Sequence, residues 1–124
     1  MSNKNQSVLI IDDTPMMLSA LGSILKSEYN VLVAKSGEKG IEFAKKNNPD
    51  MILLDVMMPG MSGFEVIEIL KADDATKDIP VIFLTGDDSA DSKEKGLGLG
   101  AVDYIEKPFS EDTVRDRVAF NLKT

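Results

Sequence analysis

Five short segments set the limits on this fold: Val8-Leu9-Ile10-Ile11, Val31-Leu32-Val33-Ala34, Met51-Ile52-Leu53-Leu54, Val81-Ile82-Phe83-Leu84 and Val102-Asp103-Tyr104-Ile105. The first four are apolar at every position. A strand of that kind must be covered on both faces, which is the condition of a parallel sheet between helical layers. The stretches between them carry apolar residues at helical spacing instead. Met17, Leu18, Leu21, Ile24 and Leu25 form one such face, and Ile41 with Ala44 a second. Phe64, Ile67 and Leu70 form a third, after a Pro59-Gly60 loop, and Val114 with Val118 the last. Thr14 or Asp13, Ser36 and Ser110 stand where N-caps belong, and Pro15 suits a first helical position. Pro49-Asp50 closes the second unit and Pro80 opens the fourth strand. Strand and helix alternate five times. The predicted class is therefore α/β, a three-layer αβα sandwich around a five-stranded parallel sheet.

The fourth helix is the weakest element. Residues 89–99 hold few apolar side chains and include Gly96 and Gly98, and an interior glycine costs about 1 kcal/mol relative to alanine. Its start is expected at Asp88 or Ser89, with Gly100 as a left-handed cap. A short or mobile helix is the expectation.

Composition narrows the function. A length of 124 residues suits one domain, expected over 1–124 with a polar tail at 1–6. No apolar run approaches the ~20 residues that span a bilayer, and the polar start does not read as a signal or transit peptide. There are no cysteines, hence no disulfides and no thiolate metal site, and a cytoplasmic setting is expected. The net charge of −7 repels nucleic acid and anionic membranes, so neither is an expected partner. The chain also contains no histidine, the commonest general base. Any phosphoryl group handled here must come from another molecule.

The chemistry-bearing residues sit where the strands stop. Asp12 and Asp13 follow the first run, Asp55 the third, Thr85 the fourth and Lys107 the fifth. Taken singly, each is an ordinary cap, turn or surface residue. A doubly wound sheet brings all of them to one rim, where ligands of such sheets bind. Three carboxylates gathered there repel one another, and a hard divalent cation relieves that repulsion. Asp55 then has an oxygen free to attack phosphorus. Lys107 supplies positive charge to a transferred group and Thr85 a hydroxyl donor. Three aspartates, one Mg²⁺ and one lysine carry no net formal charge, and a phosphoryl group adds nearly two negative charges, enough to draw Thr85 and its loop inward.

Asp12-Asp13, Asp55 followed by Met58-Pro59-Gly60 and Gly63, Thr85, and Lys107-Pro108-Phe109 resemble the receiver-domain signature of two-component response regulators. The resemblance runs from about Val8 to the end of the chain. It implies a flavodoxin-like strand order 2-1-3-4-5, with Asp55 as phosphoacceptor. Mg²⁺ (or Mn²⁺) would be held by Asp13, by Asp12 through water, by Asp55 and by the backbone carbonyl of Met57. Thr85 and Lys107 would contact the phosphoryl group, the Lys107-Pro108 bond would be cis, and Tyr104 would be the aromatic switch on the face of the fourth helix, fifth strand and fifth helix. A bland reading of Tyr104 is a half-buried tyrosine on an edge strand. The implied partners are a histidine kinase or phosphotransfer protein as donor, and a downstream protein or fused output domain. A phosphorylation-dependent dimer is a further expectation.

Two features depart from the pattern or leave it open. Gly86 stands where the family more often has alanine, and Met57 and Asp87 occupy variable positions beside the site. Met16, Met17, Met57, Met58 and Met61 cluster near the rim and read chiefly as core and loop packing, with a Met-rich binding surface as the other reading. The receiver reading makes the chain a phosphoacceptor acting only on itself. The alternatives are the front module of a longer response regulator or output enzyme, and a phosphorylation-independent interaction module. A phosphatase with an aspartyl nucleophile is disfavoured because Met57 stands where a second Asp is usual. A flavin binder is disfavoured because Asp12-Asp13 would repel its phosphate.

Overall fold

The computed structural model describes residues 6–86 and 90–122. The expectations for Asp87, Asp88, Ser89 and most of the polar tail fall outside these residues. Five strands and five helices alternate: β1 (Ser7–Ile11), α1 (Pro15–Leu25), β2 (Asn30–Ala34), α2 (Gly37–Asn47), β3 (Met51–Asp55), α3 (Gly63–Ala72), β4 (Val81–Thr85), α4 (Ala90–Gly98), β5 (Asp103–Glu106) and α5 (Glu111–Leu122). All strand pairings are parallel, in the order β2-β1-β3-β4-β5.

The continuous apolar runs of β1, β3 and β4 are explained by two separate cores, whereas β2, at the edge of the sheet, is not covered as its run predicts and leaves Val33 43% exposed. Alternate residues of a strand point to opposite faces. Leu9, Ile11, Ile52, Leu54, Val81 and Phe83 pack beneath α2 and α3 against Ala44, Val66, Ile67 and Leu70. Val8, Ile10, Met51, Leu53, Ile82 and Leu84 pack beneath α1 and α5 against Leu18, Leu21, Leu25, Val114 and Val118. Each such aliphatic side chain contributes roughly 1.5–3 kcal/mol by leaving water. Truncating fully buried Leu53 to alanine, which opens a cavity between layers, costs roughly 2–5 kcal/mol.

Helix ends follow the sequence with two corrections. Ser36 Oγ accepts from Lys39 N at 3.2 Å and Ser110 Oγ from Thr113 N at 3.1 Å, as expected of caps. Ser62 and Glu65 add a reciprocal capping box at α3. Thr14 is the N-cap residue of α1, but its side chain makes no cap hydrogen bond. Its N–H instead donates to Asp12 Oδ1 at 2.9 Å, so the acid before it holds the turn. Asn48, at φ 47°, supplies the left-handed end of α2 immediately before Pro49. Gly100 has φ 114°, a positive angle but outside the left-handed helical region, and the stem of Lys71 fills the space where a Cβ would project. The fifth strand begins at Asp103, one residue later than expected, and Val102 is 46% exposed. Among the described residues α4 spans nine, fewer than any other helix. Gly96 is required within it, because a Cβ there would lie 2.8 Å from Phe83 Cδ2.

Candidate functional site

The carboxyl ends of β1, β3, β4 and β5 form the rim that the sequence pointed to. β1 runs directly into Asp12, which is fully buried and whose N–H donates to the Ala34 carbonyl at 3.1 Å. The following turn accounts for one carboxylate oxygen, through Thr14. The other, Oδ2, is buried with no hydrogen-bond partner among the described residues. β3 ends at Asp55, which is 4% exposed. Asp12, Asp13 and Asp55 each present a carboxylate oxygen within 4.8 Å of the others.

Lys107 is the cationic member. Its Nζ lies 3.2 Å from Asp55 Oδ1 and 3.6 Å from Asp12 Oδ2. Its N–H donates to the Thr85 carbonyl at 2.8 Å, which ties the segment after β5 to the end of β4. The Lys107-Pro108 peptide is cis. Thr85 is buried at the last position of β4, in register with Glu106, and Asp55 lies opposite Leu84.

The balance of charge is unfavourable. Burial pushes the Asp55 carboxyl above its ordinary range and the Asp12 carboxylate pushes the same way. Lys107 and the Met57 amide, which donates to Asp55 Oδ1 at 3.4 Å, pull it back only in part. Three clustered acids facing one ammonium leave negative charge in excess. A buried carboxylate oxygen that accepts no hydrogen bond, within such a set, suits a hard divalent cation that accepts oxygen ligands. Asp12, Asp13 and Asp55 could hold one.

The loop from β3 to α3 is held at both ends. Gly63 N–H donates to the Val56 carbonyl at 2.9 Å, and a Cβ on Gly63 would lie 2.4 Å from the Asp55 carbonyl oxygen. The N-terminus of α3 therefore sits directly on the peptide that carries Asp55. Met57 and Met16 are 73% and 80% exposed, whereas Met58 is buried and Met61 packs against the core, so the methionines divide between rim and interior. Tyr104 is partly buried on β5, an edge strand, as its plain reading requires. Lys93 and Glu106, which flank it, were not singled out in the sequence. A single lysine on a weak helix and a single acid on a strand carry no local signal of meeting.

Comparison with known proteins agrees with this geometry. A family model described as the response regulator receiver domain matches residues 8–119. A probable cyclic di-GMP phosphodiesterase of Vibrio cholerae is 39% identical over 94% of this chain, which spans 26% of that protein's length. Protein PilH of Pseudomonas aeruginosa is 39% identical over 86% of the chain, which spans 89% of that protein. Among solved structures, the chemotaxis protein CheY4 of Vibrio cholerae superposes with a TM-score of 0.89 at 29% identity, covering 93% of this chain and 97% of that one. A match over nearly the whole chain, on a sheet of order 2-1-3-4-5 with its acids at the strand ends, makes this chain a member of the response regulator receiver domain family.

Proposed function

We propose that the chain is a phosphoacceptor switch, in which Asp55 takes a phosphoryl group from a phosphohistidine on a histidine kinase or phosphotransfer protein. The observation that carries this reading is the pairing of buried Asp55 with Lys107 at 3.2 Å, beside an Asp12 oxygen that accepts no hydrogen bond among the described residues. In the transfer, an Asp55 oxygen forms a bond to phosphorus as the phosphorus–nitrogen bond of the donor breaks. The electron pair leaves with the imidazole nitrogen. With no histidine of its own, the chain depends on a partner for that group.

Asp12, Asp13, Asp55 and the Met57 carbonyl would hold Mg²⁺ (or Mn²⁺). When bound, the cation neutralises the carboxylates and the phosphoryl oxygens. Lys107 stays close to the acceptor oxygen and offers its ammonium to the incoming group. Thr85 presents its hydroxyl from the end of β4. Tyr104, in the neighbouring strand, is the residue through which the change reaches the α4–β5–α5 face. That face would engage a downstream protein, a fused output domain or a second copy. The fused arrangement is supported by the Vibrio relative, of which the chain spans 26%. No role in binding nucleic acid is proposed, in keeping with the net charge of −7. Among the described residues no helix is long and apolar enough to cross a membrane, and a cytoplasmic setting suits the proposed donors.

The test is incubation with a small-molecule phosphodonor and Mg²⁺, followed by intact-mass measurement. The expected gain is one phosphoryl group, absent in Asp55→Asn and absent without metal. Equal modification of Asp55→Asn would remove Asp55 from its role. Turnover of a generic phosphate ester would favour an enzyme instead.

A further inference from the structure

β4 and β5 pair with Phe83 opposite Tyr104 and Thr85 opposite Glu106. Residues two apart on a strand share a face, so these four side chains form a block on the side covered by α4. One residue of α4 reaches into that block. Lys93 Nζ lies 2.6 Å from Glu106 Oε1 and 4.8 Å from the centroid of the Tyr104 ring. Its side chain is only 21% exposed, so water screens these contacts less than those of a free surface lysine. Beneath it, Val56, Phe83, Thr85, Gly96 and Tyr104 border a cavity of about 10 Å³, room for about one water molecule. A tyrosine ring is far larger. Tyr104 itself borders this space, so a move of its ring toward Thr85 would press on α4, and among the described contacts Lys93 ties α4 to β5.

We propose that Lys93 is a positioning residue: its ammonium, seated between the Glu106 carboxylate and the Tyr104 ring, holds Tyr104 in its present place at the border of the cavity beside Thr85. This rests on the phosphoacceptor reading. Contacts made in only one of two arrangements bias the equilibrium toward it, and the bias is reciprocal. Lys93 therefore restrains phosphorylation of Asp55, and phosphorylation loosens Lys93. The bland alternative is a partly exposed ion pair of little consequence.

The test uses the full chain with Lys93→Met, which keeps the stem and removes the ammonium, and Lys93→Arg, which keeps the charge. Two quantities are read: the rate of phosphorylation by acetyl phosphate in Mg²⁺, and the NMR signals of the Tyr104 ring, assigned with Tyr104→Phe. Lys93→Met is expected to be modified about fivefold faster. Its Tyr104 signals should move before any phosphodonor is added, Lys93→Arg should restore the parental rate, and Glu106→Gln should follow Lys93→Met. Parental rates together with unmoved Tyr104 signals in Lys93→Met overturn the proposal. If the parent chain takes no phosphoryl group, the phosphoacceptor reading fails, while the ring signals without donor still decide whether Lys93 positions Tyr104.

Discussion

Lys107 Nζ stands between two buried carboxylates, 3.2 Å from Asp55 Oδ1 and 3.6 Å from Asp12 Oδ2. The strands that end in these acids are hydrogen-bonded neighbours, whereas the lysine follows the edge strand β5. One ammonium thus offsets part of the repulsion between acids on β1 and β3. Removing it should raise the Asp55 carboxyl further, since Lys107 lowers it more than the Met57 amide does. For Lys107→Ala the expected result is an upward shift of the Asp55 titration, followed by carboxyl-carbon NMR. Binding of Mg²⁺ should be retained, and the response of Tyr104 to phosphodonor should be weak.

Asp55 itself makes stability depend on pH. Its carboxyl is raised in the folded chain, so in acid the folded state holds a proton that the unfolded state has released. Stability is therefore lost as pH rises from the ordinary carboxylate value through the raised one. Asp55→Asn should raise Tm by a few degrees at neutral pH, the scale of about 1 kcal/mol in a domain this size. That gain should shrink at acid pH, as read by thermal melts across the range. Mg²⁺ should stabilise the parent by about 2.7 kcal/mol at one hundred times its Kd. In Asp55→Asn the same addition should do less.

Gly63 should be intolerant of even one methyl group. The added Cβ would meet backbone atoms, 2.4 Å from the Asp55 carbonyl oxygen and 2.9 Å from Val56 Cα, so no side-chain rotation relieves it. Gly63→Ala is expected to cost about 1–3 kcal/mol in urea denaturation. It should also weaken Mg²⁺ binding, because the displaced peptide carries Asp55. Unchanged metal affinity in a destabilised variant would confine Gly63 to folding.

Lys71 acts at the opposite end of the sheet. Its Nζ donates to the carbonyls of Lys77 at 2.9 Å and Ile79 at 2.8 Å, and burial lowers its affinity for the proton. The ammonium holds the segment that leads into β4. Lys71→Met keeps the stem packed against Gly100 but strands the part-buried Ile79 carbonyl, at a cost of about 1–3 kcal/mol. Chemical denaturation should register this while phosphorylation of Asp55 keeps its parental rate.

Much of the fold was legible because its signals are local. The runs of β1, β3 and β4 are apolar at every position, and both faces of those strands are covered. β5 was misplaced by one residue because Val102 looks like a strand residue, yet it lies outside the sheet and stays half exposed. Thr14 looked like a cap on residue type, yet the carboxylate of Asp12 satisfies the turn instead. The glycines of α4 read only as weakness. Gly96 is there because Phe83 leaves no space for a larger residue, which no pattern within 89–99 records.

The sequence by itself determined the alternation of strands and helices, the sheet they must form, and which polar residues stand at the strand ends. Hydrophobic period and chain direction encode these, since both act between residues close along the chain. Only the tertiary structure decided which oxygen of Asp12 accepts no hydrogen bond, that Lys107 reaches two acids at once, and that Lys93 crosses from α4 to Glu106 and Tyr104. Those outcomes depend on side-chain rotamers and on the approach of different elements, and the packed core sets both.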